Sequence, residues 1–252
     1  MVSFIHPQDT LPVVNINQHQ HRRYFTNETF AISPLTGPNV PVSKLRELLA
    51  PLMTKLKDLN IEYTSNFIQF DSYLSHFNVM FDSNPIDVGI AQYGGRFIPR
   101  SVVENNNMAL TAAYRFINEQ GAQFIGVAAN TSLATAGYPD NAVNPAWRDN
   151  LIDTVITTPW NFTAPWEDML ANQDLMTDVL MPKLAELTPN GGAYLNEADF
   201  RDRDWKNNYY GVNYPRLEEI KNKYDPNHLF YAVTAVGSDY WEPQEDGRLC
   251  KA

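Results

Sequence analysis

The chain alternates between strand-like and helix-like hydrophobic patterns, and this succession limits the folds it can adopt. Residues 122–133 ("AQFIGVAANTSL") form an apolar run typical of a strand. Residues 141–160 are a loop that leads into a second strand, and residues 164–188 have the pattern of a helix of several turns. Neither a Rossmann glycine fingerprint nor a phosphate-binding P-loop occurs. We therefore predict an α+β fold in which an antiparallel sheet is covered by helices on one face.

The second strand has two chemically different faces. Strict alternation places Asp153 and Val155 on one face, and Ile152 and Ile156 on the other. An acid at a strand position of this kind is either a surface residue at the strand end or part of a site. Both interpretations of Asp153 stay open from the pattern alone.

The first half of the chain contains two further helix patterns. Residues 42–60 repeat leucine at helical spacing, with Ser43 placed to cap the helix and Pro51 to kink or break it. Residues 106–121 predict a helix that ends at Gly121. Between them, the pair Gly94-Gly95 predicts a turn.

Charge and composition exclude several partners. The 252 residues carry a formal net charge of -10, which argues against nucleic acid and anionic membranes as partners. No apolar stretch is long enough to span a bilayer. The single cysteine, Cys250, is either a free thiol or pairs with a cysteine outside this sequence.

The first residues, 1–27, predict a poorly ordered leader. This polar segment contains the pair His19 and His21, which could bind a metal ion only with further ligands that its surroundings lack. It does not have the pattern of a signal peptide. Three N-glycosylation sequons nevertheless favour a secreted glycoprotein, and they begin at Asn27, Asn130 and Asn161.

The last sixty or so residues, 189–252, differ from the rest. They predict one short helix, "YPRLEEIKNKY", within turns and short strands rich in Tyr, Trp and Asn. An irregular aromatic tail of this kind is typical of a segment that packs over another domain.

The tail resembles a known family. The run "YLNEADFRDRDWKNNYYGVNYPRLEEIKNKYDPNHLFYAVTAVGSDYW" is similar to the C-terminal signature of the berberine-bridge-enzyme-like FAD-linked oxidoreductases, which have the vanillyl-alcohol-oxidase type of flavoprotein fold. The pieces occur together and in order, from the Tyr-x-Asn start to the final Gly-Ser-x-x-Trp. Upstream, "GGRFIPRSVVE" and "NPAWRDNLIDTVITTPWN" resemble the substrate domain of secreted fungal members.

The resemblance implies the C-terminal half of an FAD-dependent oxidoreductase. Residues 28–188 would be the substrate-binding domain, and residues 189–252 the berberine-like segment that packs on an FAD-binding half supplied in cis or in trans. The implied reaction is oxidation of an alcohol, a sugar or a similar small organic substrate by hydride transfer to the flavin. The family also implies secretion and a partner for Cys250 in that other half. The alternative is a truncated, non-catalytic α+β module that binds a ligand or a partner.

Two acidic residues are the candidate catalytic groups. Relatives carry a catalytic Tyr at the fourth position of Tyr-x-Asn-Tyr, where this sequence has Glu197. A buried carboxylate there suits a general base, because burial raises its pKa toward neutrality. The alternative for Glu197 is a structural ion pair with Arg201 or Arg203, or a contact with the cofactor. A rough alignment from Trp160 gives Asp153 the second position.

Four other residues are predicted to contact FAD: Tyr194, Asn196, Asn213 and Tyr214. The strand that carries Tyr194, Asn196 and Glu197 would lie under the flavin, whereas Asn213 has ordinary helix capping as its alternative. The acidic cluster Asp199, Asp202 and Asp204 lacks the Gly and terminal Glu of a calcium loop, so we predict a solvated turn and no metal site.

Overall fold

The computed structural model describes residues 2–5, 21–25, 30–80, 91–137, 141–244 and 246–252. Within these residues the chain forms ten strands and eight α-helices. The strands are β1 (Val2–Ile5), β2 (His21–Phe25), β3 (Phe30–Ile32), β4 (Leu35–Gly37), β5 (Asn66–Gln69), β6 (Ala91–Pro99), β7 (Gln123–Ala128), β8 (Asn150–Pro159), β9 (Trp241–Pro243) and β10 (Leu249–Lys251). The α-helices are α1 (Val42–Asp58), α2 (Tyr73–Met80), α3 (Arg100–Asn105), α4 (Asn107–Glu119), α5 (Leu133–Ala136), α6 (Trp166–Asp174), α7 (Met181–Ala185) and α8 (Tyr214–Tyr224).

Shorter helical segments connect these elements. Two of them have π-helical geometry, Leu175–Leu180 and Lys206–Tyr210. The 3-10 turns are Pro145–Arg148, Leu195–Glu197, Gly211–Asn213 and Ser238–Tyr240. The first π-helical segment joins α6 to α7, so the long helix predicted over 164–188 is present but changes its hydrogen-bond spacing midway.

An antiparallel five-stranded sheet, in the order β3-β2-β7-β8-β6, forms the centre of the fold. Helices α4 and α7 and the π-helical segment Leu175–Leu180 pack on one face of this sheet. The buried cluster there comprises Ile98, Leu110, Ala113, Ile117, Ala122, Phe124, Ile152, Ile156, Met176, Leu180 and Leu184. The predicted α+β class and the helical layer on one face are confirmed.

The two faces of β8 differ as the alternation predicts. Ile152 and Ile156 belong to the helix-covered core, and Thr154 hydrogen-bonds the Tyr114 hydroxyl of α4 at 2.8 Å. Asp153 points the other way, into the face on which the segment Leu195–Glu197 lies. Strand β8 therefore separates an apolar core from a polar, partly aromatic face.

The prediction of a turn at Gly94-Gly95 is wrong, because both residues lie inside β6. A β-carbon built on Gly94 would lie 2.4 Å from the Met176 sulfur in the helical layer. On the opposite face, a β-carbon on Gly95 would lie 2.6 Å from the Glu197 carbonyl oxygen. Glycine at both positions lets the helical layer and the Glu197 backbone approach the sheet closely. A prediction that treats a glycine pair as a turn does not consider this role.

One other local prediction, the cap of α1, needs correction, whereas the poorly ordered leader over residues 1–27 stays a prediction. Helix α1 has Pro41 at its N-cap without a side-chain cap, so Ser43 does not cap it, and the helix continues through Pro51. Within the predicted leader, Val2–Ile5 pairs with β4 and β5, and His21–Phe25 pairs with β3 and β7. Residues 6–20 lie outside the described part of the chain. Gly121 follows α4 with a φ of 82°, as the predicted helix end requires.

The tail contains α8 at the predicted position and a small sheet formed by β9 and β10. The chain between α8 and this sheet is irregular. Several apolar side chains of the tail are exposed, including Val212, Leu229 and Phe230. Among the described residues, none of the helices combines the length and the apolar character needed to cross a bilayer.

Candidate active site

Asp153 and Glu197 meet on the face of the sheet opposite the helices. Asp153 lies in the middle of β8, opposite Phe97 of β6 and Val127 of β7, and only 2% of it is exposed. The Glu197 carboxyl hydrogen-bonds the Asp153 carboxyl. The two predicted catalytic residues, distant in sequence, therefore form one carboxyl pair.

Burial determines the proton affinity of this pair. Burial is the largest cause that raises the pKa of Asp153 from 3.8 to about 8, followed by the negative charge of Glu197 and the hydrogen bond that the protonated Asp153 donates to Glu197. One oxygen of Asp153, Oδ1, has no hydrogen-bond partner among the described residues. Asp153 therefore holds a proton at pH 7 and keeps one oxygen available to a further group.

The edge of β6 positions Glu197. The Phe97 amide donates to the Gly192 carbonyl at 2.8 Å, so the chain after Gly191 runs along the edge of the sheet. It then folds into the 3-10 turn Leu195–Glu197, closed by a bond from the Glu197 amide to the Tyr194 carbonyl at 3.0 Å. The predicted strand through Tyr194, Asn196 and Glu197 is therefore wrong, because residues 191–194 are irregular and Leu195–Glu197 form a 3-10 turn. The turn, together with the missing side chain at Gly95, brings Glu197 onto the sheet.

A buried arginine holds the start of this segment. The Arg96 guanidinium donates from Nε to the Thr188 hydroxyl at 2.7 Å and from Nη2 to the Thr188 carbonyl at 2.7 Å. Its Nη1 donates to Asn208 Oδ1 at 2.8 Å. Burial lowers the pKa of Arg96, partly opposed by the charges of Asp202 and Asp204. These bonds fix residues 188 and 208 to β6 and so define where the following turn lies.

Aromatic rings border the carboxyl pair. The ring of Trp147 lies 4.3 Å from that of Phe97 and 5.7 Å from that of Tyr194, measured between centroids. Phe97 is the cross-strand neighbour of Asp153. The sequence patterns do not identify Trp147 or Phe97 as site residues. The register of β6 on β8, which the local sequence does not encode, is what places Phe97 there.

The predicted cofactor-binding residues fall into two groups. Tyr194 borders the pair, and its hydroxyl accepts a bond from Asn196 Nδ2 at 2.7 Å. Asn213 instead donates to the carbonyl of Val143 at 3.0 Å and to that of Asn141, and it does not cap α8 with its side chain.

Tyr214 is buried in a separate aromatic cluster. Its ring lies 5.5 Å from Trp205 and 5.7 Å from Tyr210, and its hydroxyl accepts a bond from the Gly237 amide at 3.2 Å. A cofactor role for Tyr214 stays a prediction, as it does for Asn213.

The structural alternative for Glu197 is not supported by the two arginines named for it. Arg201 pairs with Asp174 at 2.7 Å, and Arg203 pairs with Asp178 at 2.8 Å. Both ion pairs connect the turn after Glu197 to the helical layer. The Glu197 carboxyl is accordingly directed at Asp153.

The acidic turn after Glu197 is organised by its own hydrogen bonds. Asp202 accepts from the Asp204 amide at 2.8 Å and from Asn208 Nδ2 at 2.7 Å. Asp199 is buried rather than solvated, which corrects that part of the prediction, and burial raises its pKa. Within the described residues, no group of three or more His, Cys, Asp or Glu side chains has a metal-binding arrangement.

Two sequons lie in the described part of the chain. Asn130 and Asn161 are both exposed, whereas Asn27 lies outside the described residues. Asn130 lines a cleft of about 660 Å³ together with Arg100 and Arg148.

We expect Gly95→Ala to separate the carboxyl pair. The new β-carbon would collide with the Glu197 carbonyl, which is backbone and cannot rotate away, so the turn must shift off the sheet. Overpacking of this kind costs about 1–3 kcal/mol of unfolding free energy, which urea denaturation measures. Gly94→Ala is the control for the pKa, because its β-carbon meets methionine side chains of the helical layer on the other face and leaves the Glu197 turn in place. The Asp153 pKa, followed by NMR, should fall in Gly95→Ala and stay in Gly94→Ala, and an unchanged value in both contradicts the assigned contact.

By sequence, the chain is similar to flavin-dependent enzymes. Residues 193–237 match the family described as "Berberine and berberine like". The FAD-linked oxidoreductase ZEB1 of Gibberella zeae is 40% identical over 231 residues, which are 90% of this chain and 40% of that protein. The VAO-type flavoprotein oxidase VAO615 of Thermothelomyces thermophilus is 33% identical over 86% of this chain and 38% of its own length. The chain thus spans about two-fifths of the length of these curated relatives.

Structural comparison agrees. The crystal structure of the VAO-type flavoprotein MtVAO615 from Myceliophthora thermophila C1 superposes with a TM-score of 0.79 at 27% identity, over 92% of this chain and 43% of that one. By sequence and by fold, the chain is therefore similar to one part of these FAD-linked oxidoreductases and VAO-type flavoproteins, and its residues 193–237 match the family described as berberine and berberine like.

Proposed function

We propose that the chain is the substrate-side part of an FAD-dependent oxidoreductase that oxidises an alcohol, a sugar or a similar small organic molecule. Residues 28–188 would form the substrate-binding domain and residues 189–252 the berberine-like segment. The observation that carries the proposal is the Asp153–Glu197 carboxyl pair on the face of the sheet opposite the helices. The relatives named above, which are FAD-linked oxidoreductases, support it.

The two carboxyls have different roles in this proposal. Glu197 is only partly buried, so a substrate can reach it, whereas Asp153 is almost fully buried. Glu197 accepts the hydroxyl proton of the substrate as general base. Asp153 keeps its own proton at neutral pH, hydrogen-bonds Glu197 and holds it in position. We therefore assign Glu197 to proton transfer and Asp153 to positioning.

The residues around the pair fit a flat, hydrogen-bonding ring system. The aromatic rings of Trp147 and Tyr194 offer apolar surface beside the pair, and Asp153 Oδ1 is a buried oxygen without a described partner. When bound, FAD supplies the acceptor for the hydride that leaves the substrate carbon. Tyr194 and Asn196 would contact it from this chain.

An FAD-binding half, joined in cis or in trans, is the proposed partner. The tail exposes several large apolar side chains, whereas a protein surface normally carries only isolated ones. Phe230 is 82% exposed and Leu229 is 74% exposed. Burial of this surface against another domain would remove the exposed apolar area from water. Secretion and glycosylation belong to the same proposal, supported by the exposed sequons at Asn130 and Asn161.

The test compares the chain alone with the chain joined to the FAD-binding segment of a relative such as ZEB1. We expect the chain alone to be colourless and the joined protein to purify with flavin. Anaerobic addition of a panel of alcohols and sugars should then bleach the flavin with at least one substrate. A joined protein that binds flavin but is bleached only by dithionite, and never by a substrate, favours the non-catalytic ligand-binding module.

A further inference from the structure

The loop between β8 and α6 exposes a cluster of aromatic rings, which we call the aromatic patch and define as Trp160, Phe162 and Trp166. The Trp160 ring lies 5.9 Å from Phe162 and 5.6 Å from Trp166, with both neighbours nearly perpendicular to it. Phe162 is 75% exposed and Trp166 is 59% exposed. A contiguous group of exposed rings on a soluble domain indicates a surface that another group covers.

A glycosylation sequon lies inside this patch. Asn161 is flanked by Trp160 and Phe162, and Thr163 completes the sequon. The Asn161 side-chain oxygen accepts from the Thr163 amide at 2.9 Å and from the Thr163 hydroxyl at 2.7 Å. Its Nδ2, the atom that a glycan takes, has no hydrogen-bond partner within the described ranges, and the residue is exposed. The acceptor nitrogen is therefore accessible beside the rings.

The second described sequon provides a comparison without an exposed aromatic patch. The Asn130 oxygen accepts from the Ser132 hydroxyl at 2.8 Å and from the Ser132 amide at 3.2 Å, so its local geometry matches that of Asn161. The cleft it lines contains Arg100 and Arg148, and the one aromatic residue in its lining, Phe97, is almost fully buried. Among the residues that line this cleft, none presents an exposed aromatic ring to a glycan at Asn130.

We propose that Asn161 carries an N-linked glycan whose first sugars cover the aromatic patch. The transfer joins Asn161 Nδ2 to the anomeric carbon of the sugar, breaks the bond from that carbon to the diphosphate of a lipid-linked donor, and releases an amide proton. Sugar rings have faces of C–H groups, which leave water when they pack on an aromatic face. Because the glycan is tethered within the patch, its effective concentration there is high.

Charge also favours this occupant. Glu167 and Asp168 lie in the first turn of α6, directly after Trp166. They disfavour an anionic partner at the patch, whereas the neutral core sugars of a glycan meet no repulsion. The inference rests on the proposed secretion, but its readouts are peptide mass and unfolding temperature, which do not depend on flavin or substrate.

The test compares the protein with and without the glycan, and with and without the ring of Phe162. The full chain, secreted from a yeast host behind a cleavable leader, is compared with the same chain from bacteria, in wild type and in Phe162→Ala. We expect a glycopeptide at Asn161 in both secreted proteins. The glycan should raise the unfolding temperature of the wild type by about 2–4 °C and that of Phe162→Ala by clearly less. Thr163→Ala removes the glycan, whereas Thr163→Ser keeps it.

Translation of the leader-fused chain in the presence of microsomes measures the glycan occupancy of Asn161 even if the protein is not secreted. There, a glycosidase-sensitive mass shift that is present in Thr163→Ser and lost in Thr163→Ala supports the proposal. An unmodified Asn161 in protein that is modified at Asn130 overturns it. Equal glycan-dependent shifts in wild type and Phe162→Ala also overturn it. Quenching of tryptophan fluorescence in the unglycosylated chain by a free oligosaccharide would instead make the patch a binding surface for external carbohydrate.

Discussion

Glu197→Gln, in the oxidase assembled with its FAD-binding half, is expected to lower the rate of flavin reduction by substrate about 10²–10⁴-fold, the range that a positioned general base contributes. The amide keeps the size of the side chain and its ability to hydrogen-bond Asp153, but it cannot accept the substrate proton. Flavin content and substrate affinity should change little, because the backbone of the Leu195–Glu197 turn is set by β6 rather than by the carboxylate.

Anaerobic stopped-flow reduction measures this rate directly, free of the later reaction with oxygen. Glu47→Gln is the matched control, since Glu47 is an exposed carboxylate of α1 paired with Lys44. It should reduce flavin at the wild-type rate. A Glu197→Gln protein that stays within about threefold of wild type removes Glu197 from the role of base.

Local patterns predict those parts of this fold that depend on residues close in sequence. The alternation along β8 assigns Asp153 to the face opposite Ile152 and Ile156, and the structure agrees because side chains in a strand alternate regardless of its partners. The helix before Gly121 is predicted for the same reason, since its apolar spacing and its end signal are local.

The parts that fail depend on which distant segments meet. Glycine pairs favour turns, yet Gly94 and Gly95 stay in β6 because methionines crowd one face and the Glu197 backbone crowds the other. Nothing near residue 95 in the sequence encodes either neighbour. The same holds for Trp147, which joins the site only because a long-range fold places it over Phe97.

In the candidate site, too, sequence motifs identify residues, whereas contacts between distant segments determine how these residues are arranged. Family resemblance indicates Glu197 and Asp153 separately, as two positions in two motifs. Their contact follows from the edge of β6, where the Phe97 amide holds the Gly192 carbonyl and the chain then turns inward at Leu195–Glu197. Asn213 and Tyr214 resemble family positions equally well, but their hydrogen bonds serve the 141–143 loop and the Gly237 amide. A motif match gives the residue, whereas the tertiary contacts decide what it touches.

Stability is expected to fall as pH rises from 5 to 9, and Asp153→Asn is expected to remove much of that dependence. In the unfolded chain Asp153 has its ordinary pKa of 3.8, whereas the folded value is about 8. At pH values between these two pKa values, the native state binds a proton on Asp153 that the unfolded state does not bind. The stabilisation that this proton gives is therefore complete below pH 4 and is lost as pH rises through 8. The amide that replaces the carboxyl needs no proton, so the variant should gain stability relative to wild type by about 2–5 kcal/mol at pH 9.

Urea unfolding of both proteins at pH 5 and pH 9 measures the difference. Asp149→Asn, an exposed acid just before β8, is the control and should follow wild type at both pH values. Asp225, whose pKa is lowered to about 2 mainly by its hydrogen bond with Lys221, loses its contribution only in more acidic solution, outside this window. Burial also raises the pKa of Asp199, but that dependence is present in wild type and variant alike. Equal stability differences at pH 5 and pH 9 contradict a protonated Asp153. A variant that is more stable yet slower than wild type indicates that the fold retains this buried acid to position Glu197, because a purely structural core gains nothing from it.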